Sequence, residues 1–270
     1  MFRRAFTMLE LIFVIVIMGI MAKFGVELIL QTYTNHTRVV VHNELESKVE
    51  AAILTIAKRL ERRVKDSVVT SANGAGAGGF SALSSTVNAA DRTFEWITVD
   101  VDGFNAGRWS GMADIWHPDT NNTQLATPAT NAINGGAILF VGSDVDPLTS
   151  FGWSGAANAN AIFPVGLIAA VPGASPAFLT MPAGFGTVYE FYQVVDGAVG
   201  VRLIDRDLMM GIGYRPWIGD GLNANRLLLE DVTTFTMQKA GDIIKIQICV
   251  ENNNFLGEGR YSVCKEKVVF

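Results

Sequence analysis

Met1-Phe-Arg-Arg-Ala5-Phe6-Thr-Met-Leu-Glu10-Leu-Ile-Phe-Val-Ile-Val-Ile-Met-Gly-Ile-Met-Ala22 decides how this chain is read. Arg3 and Arg4 form a short positive head, and an almost unbroken apolar run follows from Phe6 to Ala22. One carboxylate, Glu10, interrupts it, and polar residues return with Lys23 and Glu27. A secretory signal peptide needs a small-residue cleavage site after the apolar run. Met21-Ala22-Lys23-Phe24 is a poor match to that pattern. A plain membrane anchor would sit at the short end of what spans a bilayer. Neither reading explains Glu10, because a carboxylate among lipid tails costs about 3 kcal/mol or more and marks function when it occurs.

The segment Ala5-Phe-Thr-Met-Leu-Glu10 resembles the class III leader of type IV pilins and type II secretion pseudopilins. The resemblance implies cleavage between Ala5 and Phe6 by a prepilin peptidase on the cytoplasmic side, and N-methylation of Phe6. It makes Glu10 the fifth mature residue, where the family carries its glutamate. The family usually has Gly before the cut, where this chain has Ala5, and many major pilins have a Pro in the apolar segment, where this chain has none before Pro118. In the family's filaments the glutamate sits near the N-terminal amine of a neighbouring subunit. Opposite charges attract strongly at low dielectric and each is costly alone, so such a pair favours extraction from the bilayer and sets axial register. The positive leader would stay in the cytoplasm and the rest would be exported. The implied partners are other pilin subunits, the peptidase, an inner-membrane assembly platform and lipid. The implied location is the bacterial inner membrane, with the head in the periplasm, and then a filament.

Downstream, Leu45, Val49, Ala52, Ile53, Ile56, Leu60, Val64 and Val68 recur at three- and four-residue steps, opposite Glu46, Lys48, Glu50, Lys58, Arg59, Glu61, Arg62 and Arg63. That is an amphipathic helix with one face on a core. The stretch 26–43 contains β-prone Thr32, Thr34, Thr37 and Val39-Val40-Val41, yet nothing in it breaks a helix. The expectation is one helix from about Phe6 to Val69, about 95 Å long at 1.5 Å per residue. Domain boundaries follow: leader 1–5, membrane and assembly helix 6–25, amphipathic continuation 26–70, and a β-rich head over 71–270. Ser71-Ala-Asn-Gly-Ala-Gly-Ala-Gly-Gly79 reads as a flexible break. Beyond it, Thr93–Val101 alternates apolar and polar residues like a half-buried strand, and 137–141 reads as a buried one. Segments 187–195 and 198–204 flank Asp196-Gly197, a hairpin signal. Further strands are expected at 227–237, at 242–250 after a turn at Ala240-Gly241, and at 261–270, with long loops at 103–136 and 150–186. The fold class is α+β: a long N-terminal helix, membrane-embedded in its first half, packed on an antiparallel β-sheet head.

The two cysteines are Cys249 and Cys264. If 243–250 and 261–269 pair as a hairpin about Leu256-Gly257, these two face each other closely enough for a disulfide. The alternative is two buried free thiols. Three His in the chain make a structural zinc site a poor fit.

The formal net charge of −5 argues against a nucleic-acid partner, which needs a basic face. The cluster of Arg and Lys at 58–65 reads as a solvated helix face. His36 and His42 are six apart and do not share a helical face as paired ligands would. Asp100-Val-Asp102-Gly-Phe-Asn105 and Asp220-Gly-Leu-Asn223-Ala-Asn225 are oxygen-rich loops. Asp220, Asn223 and Asn225 are the preferred candidates for calcium, although turn-forming Asp-Gly and Asn account for both loops equally well. Gly152-Trp-Ser154-Gly-Ala156 lacks the glycine a nucleophile elbow requires, with His117 the one potential base in the head. No nucleotide-binding Gly-rich loop occurs. No catalysis and no required cofactor are expected. Trp96, Trp109, Trp116, Trp153 and Trp217 are expected mostly in the core, with an adhesive aromatic surface as the alternative. The size of the head and Leu227-Leu-Leu-Glu-Asp-Val-Thr-Thr-Phe235 are similar to the larger minor pilins, of the J type, which sit at filament tips. The competing class is an inner-membrane-anchored periplasmic binding protein or enzyme whose N-terminus only looks like a leader.

Overall fold

The computed structural model describes residues 8–72, 79–88, 90–116, 124–127, 136–153, 162–164, 177–180, 189–252 and 261–270. The elements in chain order are α1 (Met8–Leu60), β1 (Val69–Ser71), β2 (Phe80–Ala82), β3 (Thr93–Val99), α2 (Val101–Asn105), β4 (Gln124–Thr127) and β5 (Ala137–Phe140). They continue with β6 (Ile162–Pro164), β7 (Ala177–Thr180), β8 (Tyr192–Ile204), β9 (Asp207–Tyr214), a 3-10 turn at Pro216–Ile218, β10 (Arg226–Leu229), β11 (Val232–Ala240), β12 (Ile243–Asn252) and β13 (Tyr261–Val269). The class is α+β, with one long N-terminal helix and antiparallel sheets. The chain divides into two compact units, Met1–Ser47 and Lys48–Phe270.

Within the first unit the helix is continuous through the β-prone stretch. Thr32 and Thr37 donate their hydroxyls to the carbonyls four residues back, Leu28 and Tyr33, and Thr34 donates to Gln31. Back-bonding of this kind satisfies a threonine inside a helix and removes its incentive to leave it.

In the second unit, α1 buries Val49, Ala52, Ile53, Ile56, Ala57 and Leu60, the face its periodicity marks. The helix ends at Leu60, nine residues before the expected Val69. No Pro or Gly stops it. Arg62 and Arg63 instead donate their backbone N–H groups to the carbonyls three residues back, tightening the last turn. Arg63 then bridges Thr98, with Val64 N–H on Ile97 O and Val99 N–H on Arg62 O at 2.9 Å each. Pairing with β3, distant in sequence, wins over local helix propensity. Val64 and Val68 are buried as anticipated, but outside the helix.

The large sheet runs β10-β9-β8-β3-β1-β2, with β5 joining β8 and β6 joining β5. A separate sheet runs β11-β12-β13, and β4 pairs with β7. β3 lies at the centre, and both of its faces are buried rather than one. On one face Phe94 meets Phe235 of β11 edge-on, with centroids 5.2 Å apart, and the Trp96 indole donates to Arg59 O of α1. On the other face Ile97 joins a cluster that includes Phe151, Trp153, Tyr214 and Trp217.

Asp196-Gly197 does not turn the chain. β8 runs straight through it, and β3 pairs Thr98 with Gly197 and then Val99 with Val195, leaving Asp196 as the extra residue of a bulge. Thr98 Oγ1 donates to Asp196 Oδ1 and lies 2.9 Å from Gly197 O. The turn falls instead at Asp205-Arg206, between paired Ile204 and Asp207, with Asp205 at φ +54°. It opens β9, a strand with no sequence signal because Met209, Met210, Gly211 and Gly213 lack β propensity. The expected strand 227–237 is two strands in different sheets, broken at Glu230-Asp231 where Asp231 has φ +59°. The β11–β12 turn is at Gly241-Asp242, with Gly241 at φ +62°. The long loops at 103–136 and 150–186 hold short strands of their own, β4, β6 and β7.

Candidate functional site

Glu10 lies in the first described turn of α1. From Met8 through Phe24 every side chain is exposed, including Leu11, Ile12, Phe13, Ile15 and Ile17. A soluble domain covers such a face, and among the described residues these side chains are uncovered. The helix is long and apolar enough to cross a membrane, and no part of its most apolar stretch is buried within the chain. Between Glu10 and Lys23 there is no charged residue, so Glu10 is the single carboxylate in that apolar surface. Arg3, Arg4, Ala5 and Phe6 lie outside the described residues. His36 is exposed, and His42 faces Glu46 at 4.0 Å.

Cys249 of β12 stands opposite Cys264 of β13, as the hairpin register anticipates, and their sulfurs are bonded. The oxygen-rich loops have local tasks. Asp100 caps α2 by accepting from Gly103 N–H at 2.7 Å, and Asp102 pairs with Arg62 at 2.9 Å. Asp220 accepts from the backbone N–H and Nε of Arg215, at 3.2 and 3.4 Å. Asn223 and Asn225 are exposed in the same loop. Among the described residues no three of His, Cys, Asp and Glu gather as metal ligands. Ser154 and His117 lie outside them.

The basic cluster is only partly a solvated face. Lys58 and Arg59 are exposed, but Lys65 pairs with Asp242 at 2.9 Å. Arg63 donates to Leu60 O at 3.0 Å, Asp242 O at 2.6 Å and Phe270 O at 3.3 Å. It caps the end of α1 and ties it to the β11–β12 turn and to the strand that ends the three-stranded sheet.

Trp96, Trp109, Trp153 and Trp217 are buried, while Trp116 is 84% exposed. Beside Trp109, an open pocket of about 510 Å³ is lined by Phe104, Met112, Val141, Phe191 and Tyr192. Phe104 packs on Trp109 with centroids 4.9 Å apart, and Trp109 on Tyr192 at 6.0 Å.

One feature of the head escaped the pattern. Glu95, which strict alternation would send to solvent, is buried and accepts a hydrogen bond from Tyr214. Burial pushes its carboxyl up to about 7 despite the opposing pull of the Tyr214 hydroxyl and Arg202. Burial also raises the Tyr214 hydroxyl, as does the neighbouring carboxylate.

No protein-family model, curated protein or solved structure matches this chain.

Proposed function

We propose that this protein is a pilin-like filament subunit, a minor pilin or pseudopilin of a type IV pilus or a type II secretion system. The observation that carries the reading is the first described part of α1: an apolar helix face, exposed among the described residues, bearing one carboxylate, Glu10. A mere anchor gains nothing from that carboxylate, whereas a subunit passing from lipid into a packed helical array gains a mate for a neighbour's amine. Prepilin peptidase cuts between Ala5 and Phe6 and methylates Phe6. Glu10 then pairs with the new amine of an adjacent subunit while the apolar faces pack together. Before assembly the helix crosses the inner membrane with its N-terminus cytoplasmic and the head periplasmic. The disulfide suits that oxidising compartment. The large head fits a tip position, where a subunit primes assembly with the help of the inner-membrane platform. The work is structural and needs no catalysis.

The test is to coexpress the full chain with a prepilin peptidase and weigh the intact product. Loss of Met1–Ala5 with gain of one methyl group is the expected result. An uncut chain, or a cut after about Ala22 by the ordinary signal peptidase, sinks the proposal and leaves an anchored or secreted β-rich head.

A further inference from the structure

Thr93 and Glu95 stand two residues apart on one face of β3, at 0% and 1% exposure. Glu95 Oε2 accepts from the Tyr214 hydroxyl of β9, while Glu95 Oε1 and Thr93 Oγ1 have no hydrogen-bond partner. A neutral acid tolerates one unpartnered oxygen, but a carboxylate sealed from water with a single donor does not.

What seals it is narrow. Opposite Glu95 in β8 is Gly200, and opposite Gly200 in β9 is Gly211. A Cβ on Gly200 would lie 2.7 Å from both methyls of Leu222 and 3.1 Å from the Tyr214 hydroxyl. A Cβ on Gly211 would lie 2.5 Å from Leu222 Cδ1 and 2.6 Å from Asn223 O. The two glycines therefore form a notch filled by Leu222, directly beside the Tyr214–Glu95 pair. The segment is anchored at its start, where Gly219 and Asp220 donate backbone N–H groups to Pro216 O and Arg215 O and Asp220 is tied to Arg215, while Gly221, Asn223 and Asn225 beyond it are exposed.

We infer that Gly219–Asn225 is a pH-governed strap: with Glu95 protonated Leu222 stays in its notch, and with Glu95 ionised the strap lifts and water reaches the carboxylate through the vacated space. The groups that bear on Glu95 are few. Tyr214 faces it from β9, and Arg202 acts on it from β8. β1, its other neighbour, offers Val69–Ser71 and no titratable side chain. The strap's one charge, Asp220, pairs with Arg215 just before it.

The sign follows from burial. The closed state holds the Glu95 proton up to about 7, whereas in the open, solvated state the group returns towards 4.5. The closed state therefore binds more protons between those values. Its advantage is complete below 4.5 and is lost as pH rises through about 7.

Hydrogen exchange read by mass spectrometry on the full chain in detergent micelles tests this, as protection factors corrected for the intrinsic pH dependence. Between pH 6 and 8.5 (both chosen for the experiment) the protection of peptides covering 218–226 is expected to fall about tenfold, while β12 peptides keep theirs. In Glu95→Gln, neutral at every pH, the strap is expected to stay equally protected at both. Three outcomes overturn the inference: a flat wild-type strap, a wild-type fall shared equally by β12, or an undiminished fall in Glu95→Gln. Should Glu95→Gln not fold, Leu222→Ala replaces it. Its strap is expected to be unprotected at both pH values, and a pH step of wild-type size there overturns the inference as well. None of these readouts depends on whether the chain builds a filament.

Discussion

Arg63 carries more than a charge. Its guanidinium holds three carbonyls from three places in the chain, those of Leu60, Asp242 and Phe270, and burial lowers its pKa despite the nearby Asp242 and Asp66 carboxylates. Hydrogen bonds from a charged donor contribute more than neutral ones, and unpartnered half-buried acceptors are costly. Arg63→Ala is therefore expected to destabilise the chain by about 2–3 kcal/mol, read as a lower urea midpoint with an unchanged slope. Arg63→Lys should fall between, because an ammonium cannot span the three acceptors as a planar fork does. From sequence alone Arg63 is one cation among eight residues of mixed charge, since its partners lie 179 and 207 positions away. Glu95 was hidden for a related reason. A Glu in an alternating strand reads as solvent-facing unless the second covering layer is known, and that layer comes from β9 and the loop after it.

The elements show which signals survive the journey from sequence to fold. The apolar stripe of α1 was legible from Leu45 to Leu60 because a helix carries its period locally. The helix end was not, because what stops it is a bridge to Thr98. Asp-Gly is permissive rather than directive: at Asp196-Gly197 it serves a bulge, with Gly197 allowing a close approach to Gly213. The C-terminal hairpin was legible because two cysteines and one Gly-containing turn agree on a single register. Its disulfide closes a loop with a sequence separation of 15. In the chain-entropy account such a closure stabilises by about 3 kcal/mol. Replacing both Cys249 and Cys264 with Ser should lower unfolding free energy by about that amount in urea titration. Unchanged stability would mean that the β12–β13 ladder alone holds the hairpin.

At the scale of the whole molecule, the two units divide the proposed work. The first offers an exposed apolar stretch, Met8 to Ala22, with Glu10 its single carboxylate, and the second a β-rich head with a core on each side of β3. The proposed leader is read from chemistry that is local and linear, at residues outside the described ones. The aromatic pocket beside Trp109 is not readable in this way, since it is assembled from the end of β3, α2, residues 109–112, Val141 after β5 and the start of β8, and has no linear signature. Glu10→Leu separates membrane insertion from assembly. The variant should insert as well as the parent, and still be cut between Ala5 and Phe6, but be lost from filaments isolated by shearing and detected by immunoblot. Normal incorporation of the variant would remove Glu10 from the mechanism.

The cap on α1 also sets a timetable. Arg63 is made early, yet two of the three carbonyls it holds belong to residues 179 and 207 positions later. A ribosome halted midway would carry a helix end with only Leu60 O for the Arg63 guanidinium, and a central strand, β3, with no β8 to pair with. The head cannot lock piece by piece behind its leading end. In the proposed export, the chain would stay pliable until most of it had passed outward and would close only on the far side.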